Sequence, residues 1–112
     1  MVPQIIGTKK SKGFRACERY CKERGITVQY RDPFENPLSD GEVESILREI
    51  GDPQLLIDTT SKAYRARGLA WIDYDPVEEL RETPTLLRQP ILRTDNGVAI
   101  APDAETLSRF LA

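Results

Sequence analysis

The residues best suited to chemistry lie at a turn between an apolar segment and a helical pattern near the start of the chain. Ile5 and Ile6 run into Gly-Thr-Lys-Lys-Ser-Lys-Gly, which ends at Gly13. The free amides and the positive dipole end of a helix N-terminus favour an anion or a thiolate at such a turn. Its candidate anion-binding residues are Lys9, Lys10, Ser11, Lys12, Gly13 and Arg15.

Ser11 provides a hydroxyl at the predicted start of the helix. A serine keeps its proton near neutral pH and needs an adjacent base before it can attack anything. The chain contains no histidine, and no carboxylate precedes Glu18 in the local sequence. A distant Asp or Glu could still fold close to it. We therefore prefer a structural interpretation, in which the Ser11 hydroxyl caps a helix that begins near Lys12.

Cys17 and Cys21 are the only thiols of the chain, and they share the apolar face of the same predicted helix with Phe14 and Tyr20. Free cysteine is among the most buried residue types, so both are interpreted as small core residues. Side chains four apart on a straight helix are also poorly placed for a disulfide. A reactive Cys17 remains the alternative, because nothing else in the sequence can perform thiol chemistry.

Composition limits the remaining functions. The 112 residues, 39% hydrophobic and 30% charged, suit one compact domain spanning 1–112. Without histidine, acid–base catalysis by imidazole is excluded and no metal site is expected. No apolar run has the length of a membrane span, Met1 is not followed by a secretory leader, and the cysteine usage fits a reducing compartment. We expect a cytoplasmic protein that does not bind membranes.

Charge is distributed unevenly along the chain. Residues 1–25 carry seven Lys or Arg and two Glu, a net charge of +5, so the remainder carries −7. The basic end either keeps the first helix soluble or attracts an anion or an acidic partner. A sequence pI near 5.2 argues against direct binding to nucleic acid.

The elements that must position the turn follow from periodicity. A strand over 4–6 and a helix over 12–24 lead to an alternating segment, 26–32, in which Ile26, Val28 and Tyr30 share the buried side. A helix begins at the capping box formed by Ser39 and Glu42, and short helices are predicted over 53–70 and 75–82.

Two short strands then follow at 91–93 and 98–100, with Asn96-Gly97 in the turn between them, and a closing helix begins near Asp103. The order β-α-β, helical insertion (about 38–87), β-β-α predicts an α/β protein. Its fold would be thioredoxin-like, with a four-stranded mixed sheet.

With this order, the sequence resembles the glutaredoxin-linked arsenate reductases and the related Spx-type transcriptional regulators over nearly the whole chain. The resemblance is carried by GTKKSKGFRACERYCKERGI, LLIDTTSKAYRARGL (55–69) and ETPTLLRQPIL (82–92). It places Ser11 where the reactive cysteine of these families lies. In these families, arginines occupy the positions that correspond to Asp58 or Thr60 and to Ala101 in this sequence. Their Arg-Pro pair becomes Gln89-Pro90, with Arg88 one position earlier as a further anion-binding candidate.

The resemblance implies that Pro90 is a cis-proline facing the turn, although a simple loop proline is the alternative. It also implies a protein that has lost its redox step and that binds an anion, an acidic protein partner or a thiol ligand such as glutathione. Two alternatives stay open: a glutathione-linked thiol oxidoreductase using Cys17, and an Spx-like regulator that binds RNA polymerase. The sequence alone does not decide whether the protein is an enzyme.

Overall fold

A four-stranded mixed sheet lies at the centre of the computed structural model, which describes residues 2–111. Its strand order is β2-β1-β3-β4. β1 (Gln4–Ile6) runs parallel to β2 (Gln29–Arg31) and antiparallel to β3 (Ile91–Thr94), which forms a hairpin with β4 (Gly97–Ile100). The predicted fold class, with its β-α-β unit and C-terminal β-β-α unit, is confirmed.

In the described residues 2–111, five α-helices surround the sheet, and the middle three belong to the predicted helical insertion. Short 3-10 turns at 53–56 and 69–71 separate these three, and another at 84–86 follows the last of them. No helix between residues 2 and 111 has both the length and the apolar composition needed to cross a membrane. The helices are α1 (Lys12–Glu23), α2 (Asp40–Ile50), α3 (Lys62–Ala66), α4 (Pro76–Glu82) and α5 (Ala104–Leu111).

Neighbouring residues of each strand point to opposite faces of the sheet, so the strands contribute to two separate hydrophobic clusters. Ile5 and Leu92 pack on one face with buried residues of α1 and α5. Ile6 and Ile91 pack on the other face with Ile46 of α2 and with the insertion. The sheet is therefore covered on both faces, and α1 lies on the opposite side from α2.

Two local predictions are confirmed in atomic detail. Ser39 Oγ accepts a hydrogen bond from the Glu42 amide (3.1 Å), and Glu42 Oε1 accepts one from the Ser39 amide (2.9 Å), which completes the capping box. In the β3–β4 hairpin, Thr94 pairs with Gly97, so the two turn residues are 95 and 96. The turn thus contains Asn96, as predicted, while Gly97 already belongs to β4.

The second strand is shorter than the sequence predicted. The alternating pattern suggested a strand over 26–32 with a buried side, but β2 contains only residues 29–31. Ile26 and Val28 still pack against the core on the α1 face. Tyr30, in contrast, is 44% exposed. Because β2 is an edge strand of the sheet, less of the core covers it than the alternation suggested.

Candidate functional site

The turn between β1 and α1 is held by backbone and side-chain hydrogen bonds. The Gly7 amide donates to the carbonyl oxygen of Arg31 (3.0 Å), and the Ser11 amide donates to the carbonyl oxygen of Thr8 (3.0 Å). Ser11 is the N-cap of α1, since its Oγ accepts a hydrogen bond from the Phe14 amide (3.2 Å). The hydroxyl therefore satisfies one of the free amides at the helix start, as the structural interpretation of Ser11 predicted.

Pro90 faces this turn. The sequence predicted a cis Gln89–Pro90 bond, and the bond is cis in the structure. A Cβ atom at Gly13 would lie only 2.8 Å from Cδ of Pro90. The absence of a side chain at position 13 thus lets the first turn of α1 pack directly on Pro90, which immediately precedes β3.

Gln89 anchors the turn from the other side. Its Oε1 accepts hydrogen bonds from the Thr8 amide (2.7 Å) and from the Thr8 hydroxyl (3.4 Å). A Cβ atom at Gly7 would lie 2.9 Å from the same oxygen, so glycine permits this approach. The resemblance identified Gln89 only as the place of a lost arginine. No local pattern links it to Thr8, which lies 81 positions away.

The positive charges around the turn are only partly compensated. The Glu18 carboxylate lies 4.0 Å from Nζ of Lys9 and 3.9 Å from Nζ of Lys22. Arg15 folds back and donates to the carbonyl oxygen of Lys9. Lys10 and Lys12 are exposed and form no ion pair with other residues in the range 2–111. The start of α1 therefore retains a positive surface.

An open groove of about 730 Å³ lies beside the turn. Thr8, Lys9 and Lys10 line one side of it, and aromatic rings form an apolar part of its wall. The rings of Phe14 and Tyr30 pack against each other with their centroids 5.7 Å apart. Tyr30, Asp32 and Phe34 reach the groove from β2 and the loop after it, which the sequence did not predict. The groove residues are Gly7, Thr8, Lys9, Lys10, Phe14, Glu18, Lys22, Tyr30, Asp32 and Phe34.

Both cysteines are unpaired and lie in the core on the α1 face of the sheet. Cys17 has no exposed surface, and burial raises its pKa to about 11. Burial also raises the pKa of Cys21. A thiol in this environment stays protonated near neutral pH, so it lacks the character of a nucleophile. Within the described residues, no group of three or more His, Cys, Asp and Glu side chains could hold a metal ion.

The other positions singled out by the resemblance lie in different surroundings. The Asp58 carboxylate accepts hydrogen bonds from the Thr60 amide (2.9 Å) and hydroxyl (2.6 Å), so both residues are engaged in their own turn. Ala101 contacts the proline, because its amide donates to the Pro90 carbonyl oxygen (2.7 Å). Arg88 is exposed, and no hydrogen bond or ion pair joins its side chain to the turn within residues 2–111.

A strand, turn and helix whose first turn packs on a cis-proline just before a neighbouring strand, in this element order, define a thioredoxin-like fold. Comparison with known proteins agrees with this fold. No family model matches the chain. The global transcriptional regulator Spx of Listeria innocua is 29% identical over 102 residues, covering 87% of this chain and 77% of the relative. Spx of Bacillus subtilis is 28% identical with the same coverage.

Solved structures extend the comparison to reductases. The arsenate reductase from Vibrio cholerae aligns with a TM-score of 0.77 at 16% identity and covers 97% of this chain and 94% of its own. An arsenate reductase related protein from Brucella melitensis aligns with a TM-score of 0.72 at 15% identity, covering 99% and 95%. The resemblance seen in the sequence is thereby confirmed: the chain is similar in sequence to the Spx regulators and shares its fold with the solved arsenate reductase structures.

Proposed function

We propose that this protein is a thioredoxin-fold binding protein that has lost the redox step and that receives an anionic group at the start of α1. The observation that carries this proposal is the role of Ser11 as a helix cap. Its hydroxyl caps the helix, and no carboxylate hydrogen-bonds to it within residues 2–111. With no base to remove its proton, the residue at the position of the reactive thiol acts as a hydrogen-bonding group.

The first turn of α1 retains the means to bind an anion. The Phe14 amide is used by Ser11 Oγ, and the Arg15 amide donates to the Ser11 carbonyl oxygen. The amides of Lys12 and Gly13 have no protein acceptor among the described residues. Such free amides at the positive end of a helix dipole favour a phosphate or carboxylate group, and the nearby lysines add to this attraction.

The neighbouring groove supports an occupant larger than a simple ion. Its aromatic wall, with Phe14, Tyr30 and Phe34, would contact apolar parts of a ligand whose anionic group lies at the turn. An acidic segment of a protein partner fits this combination, and so does a thiol ligand with carboxylates such as glutathione. We further propose a cytoplasmic site of action, in keeping with the unpaired Cys17 and Cys21.

An Spx-like regulator that binds RNA polymerase is the second candidate function. The observation that favours it is the similarity to proteins named global transcriptional regulators, at 28–29% identity over 87% of the chain. The basic first helix offers a surface for an acidic protein. An overall pI near 5.2 supports contact with protein rather than with nucleic acid. A reductase based on Cys17 has less support, since that thiol is buried and its pKa is raised.

Titration with inorganic phosphate, followed by the backbone amide signals in NMR, tests the main proposal. We expect the amides of residues 11–14 to shift most, and the apparent affinity to fall as salt is raised. Lys12→Gln should weaken binding. Lys62→Gln is the matched control, because Lys62 follows the N-cap Ser61 of α3 as Lys12 follows Ser11. If the amides of residues 11–14 do not move, the anion site is refuted.

The second candidate has its own measurement. Purified RNA polymerase should be retained by the immobilised wild-type protein, and retention should fall for the double variant Lys10→Glu, Lys12→Glu. Equal retention of wild type and variant would show that α1 is not the contact surface. No retention at all would refute the regulator function and leave the anion site untouched.

A further inference from the structure

A second cavity lies on the opposite face of the sheet from α1. It lies between α2, α4 and the segment 33–38, it is partly open to solvent, and its volume is about 110 Å³. Ten of its twelve lining residues are apolar, including Ile46, Leu56 and Leu87 of the buried core. The cavity shares no lining residue with the groove beside Ser11. It is therefore separate from the site of the proposed function.

Three of the lining residues are prolines, and one wall of the cavity is fixed by a single arginine. The guanidinium of Arg31 donates to the carbonyl oxygens of Asp32 (3.1 Å), Asn36 and Pro37 (3.1 Å). It also forms a two-point contact with the Glu42 carboxylate, at 3.2 and 3.0 Å. The segment that carries Pro33 and Pro37 is thus tied to the first turn of α2.

The opposite wall is fixed by backbone contacts between the insertion and the segment before β3. Ile57 and Leu87 form an isolated antiparallel bridge. The Arg88 amide donates to the carbonyl oxygen of Leu56 (2.7 Å). Because both walls are held by hydrogen bonds outside the cavity, its shape does not depend on an occupant. A preformed cavity lowers the entropy that a ligand must lose on binding.

The two charged lining residues lie at the mouth. Arg81 Nη2 and Asp40 Oδ1 are 2.8 Å apart, and their side chains are 59% and 78% exposed. This ion pair joins α4 to α2 across the opening. Its charges are satisfied by each other and by solvent, so they do not require a charged ligand.

We propose that this cavity is a binding site for a small, uncharged, apolar molecule with a single ring. An engineered cavity of about 150 Å³ lined by apolar side chains stays dry and accepts benzene. The present cavity is somewhat smaller, which limits the ligand to a monocyclic size. A charged ligand would lose hydration without gaining a partner inside, which is unfavourable.

Titration of the wild-type protein with benzene, followed by the methyl signals in NMR, tests the proposal. The methyl groups of Val43, Ile46, Val77 and Leu80 line the cavity and should shift with saturation. Those of Ile5, Leu92 and Leu107, on the α1 face, should not. Benzene at ten times its Kd should also raise the Tm by about 5 °C. Benzoate should bind at least about tenfold more weakly.

Filling the cavity provides the matched comparison. Val77→Phe places a ring in the cavity and should abolish the benzene shifts, whereas Ile72→Phe adds a ring at an exposed position and should leave them unchanged. If Val77→Phe does not fold, Val77→Met should lower the affinity instead. The proposal is overturned by equal shifts of both methyl sets, by no shift at the solubility limit of benzene, by benzoate binding as tightly as benzene, or by full binding in the filled variants.

Discussion

At the residue scale, Ser11 lies in surroundings that would change the chemistry of a thiol. A sulfur atom in place of Oγ would accept a hydrogen bond from the Phe14 amide, whose nitrogen is 3.2 Å from Oγ. The first turn of α1 has no acidic residue, and Lys12 follows directly. Ser11→Cys should therefore have a thiol pKa one to several units below about 8.5. The pH dependence of iodoacetamide labelling measures this pKa.

Ser39→Cys is the control for this prediction. Ser39 also caps a helix of similar length, but the first turn of α2 contains Asp40 and Glu42. Negative charge near a thiol raises its pKa, so Cys at position 39 should label only at higher pH. Equal pKa values for the two variants, or a value at or above 8.5 at position 11, would contradict the interpretation of the turn as a former redox site.

Gly13 makes a second residue-scale prediction. Gly13 and Gly41 are each the second residue of a helix, but a Cβ at position 13 would lie 2.8 Å from Pro90, whereas one at position 41 would meet nothing closer than 3.9 Å. Gly41→Ala should raise the free energy of unfolding by up to about 1 kcal/mol. Gly13→Ala should lower it by about 1 kcal/mol or more, because the helix start must move away from the proline.

Urea denaturation of the two variants and the wild type provides the comparison. A stabilised Gly13→Ala variant would show that the contact between α1 and Pro90 is looser than the structure indicates.

The candidate site could be predicted only where its residues act locally. Ser11 as a helix cap follows from its position before a helical pattern, and Pro90 followed from the resemblance. Gln89 and Thr8 could not be paired, because their hydrogen bond joins segments 81 positions apart. Likewise, Tyr30 was expected on a buried face, and its place beside Phe14 depends on where the sheet ends.

At the element scale, the start of α2 depends on Glu42. Hydrogen bonds from Arg31 hold the pKa of the Glu42 carboxyl below its ordinary value of 4.5, and hydrogen bonding with Ser39 lowers it further against the effect of burial. Because the folded-state pKa is the lower one, the stabilisation is complete above about pH 4.5 and is lost as the pH falls through the folded-state pKa.

Glu42→Gln should therefore destabilise the protein by about 1 kcal/mol near neutral pH, and this difference from the wild type should shrink below pH 4.5. Thermal denaturation as a function of pH measures both effects. Glu44→Gln, an exposed position of the same helix, serves as the control. A difference that stays constant down to pH 3 would contradict the role of the ionised carboxylate.

Elements with a strong local signal were predictable, and those set by tertiary packing were not. The capping box of α2 and the β3–β4 hairpin have signals within a few residues. β2 retains only residues 29–31 because pairing with the three-residue β1 limits its length. The predicted helical region 53–70 breaks into short pieces: Ile57 leaves the helical path to pair with Leu87, and Gly68 adopts a left-handed conformation (φ 64°) before Leu69.

At the scale of the whole molecule, the two faces of the sheet have different features. The α1 face carries the turn with its positive surface and the aromatic groove, while the α2 face carries a mostly apolar cavity. Both cysteines are buried in the core, so neither face presents a thiol to a ligand. This arrangement is in keeping with the binding function that we propose.

The protein should therefore show no arsenate reduction above background when glutathione and glutaredoxin are supplied. Neither a thiol at position 11 nor the arginines implied by the resemblance at positions 58 and 101 are present. Arsenite formation measured against a reaction without protein tests this expectation. Steady turnover that disappears in Cys17→Ser would establish the enzyme alternative instead.

Ala101 bears on which side chains the backbone beside the turn can accept. It is the one non-glycine residue among the described residues with a positive φ (47°), and its amide is held by the Pro90 carbonyl oxygen. Every unbranched side chain with a Cβ carries about the same backbone strain there as alanine does, whereas β-branched side chains carry more. An arginine at position 101 would therefore carry no new conformational penalty, and a cysteine at position 11 would be close in size to the serine. Substitution at these two positions can therefore change the chemistry of the turn while its backbone stays the same.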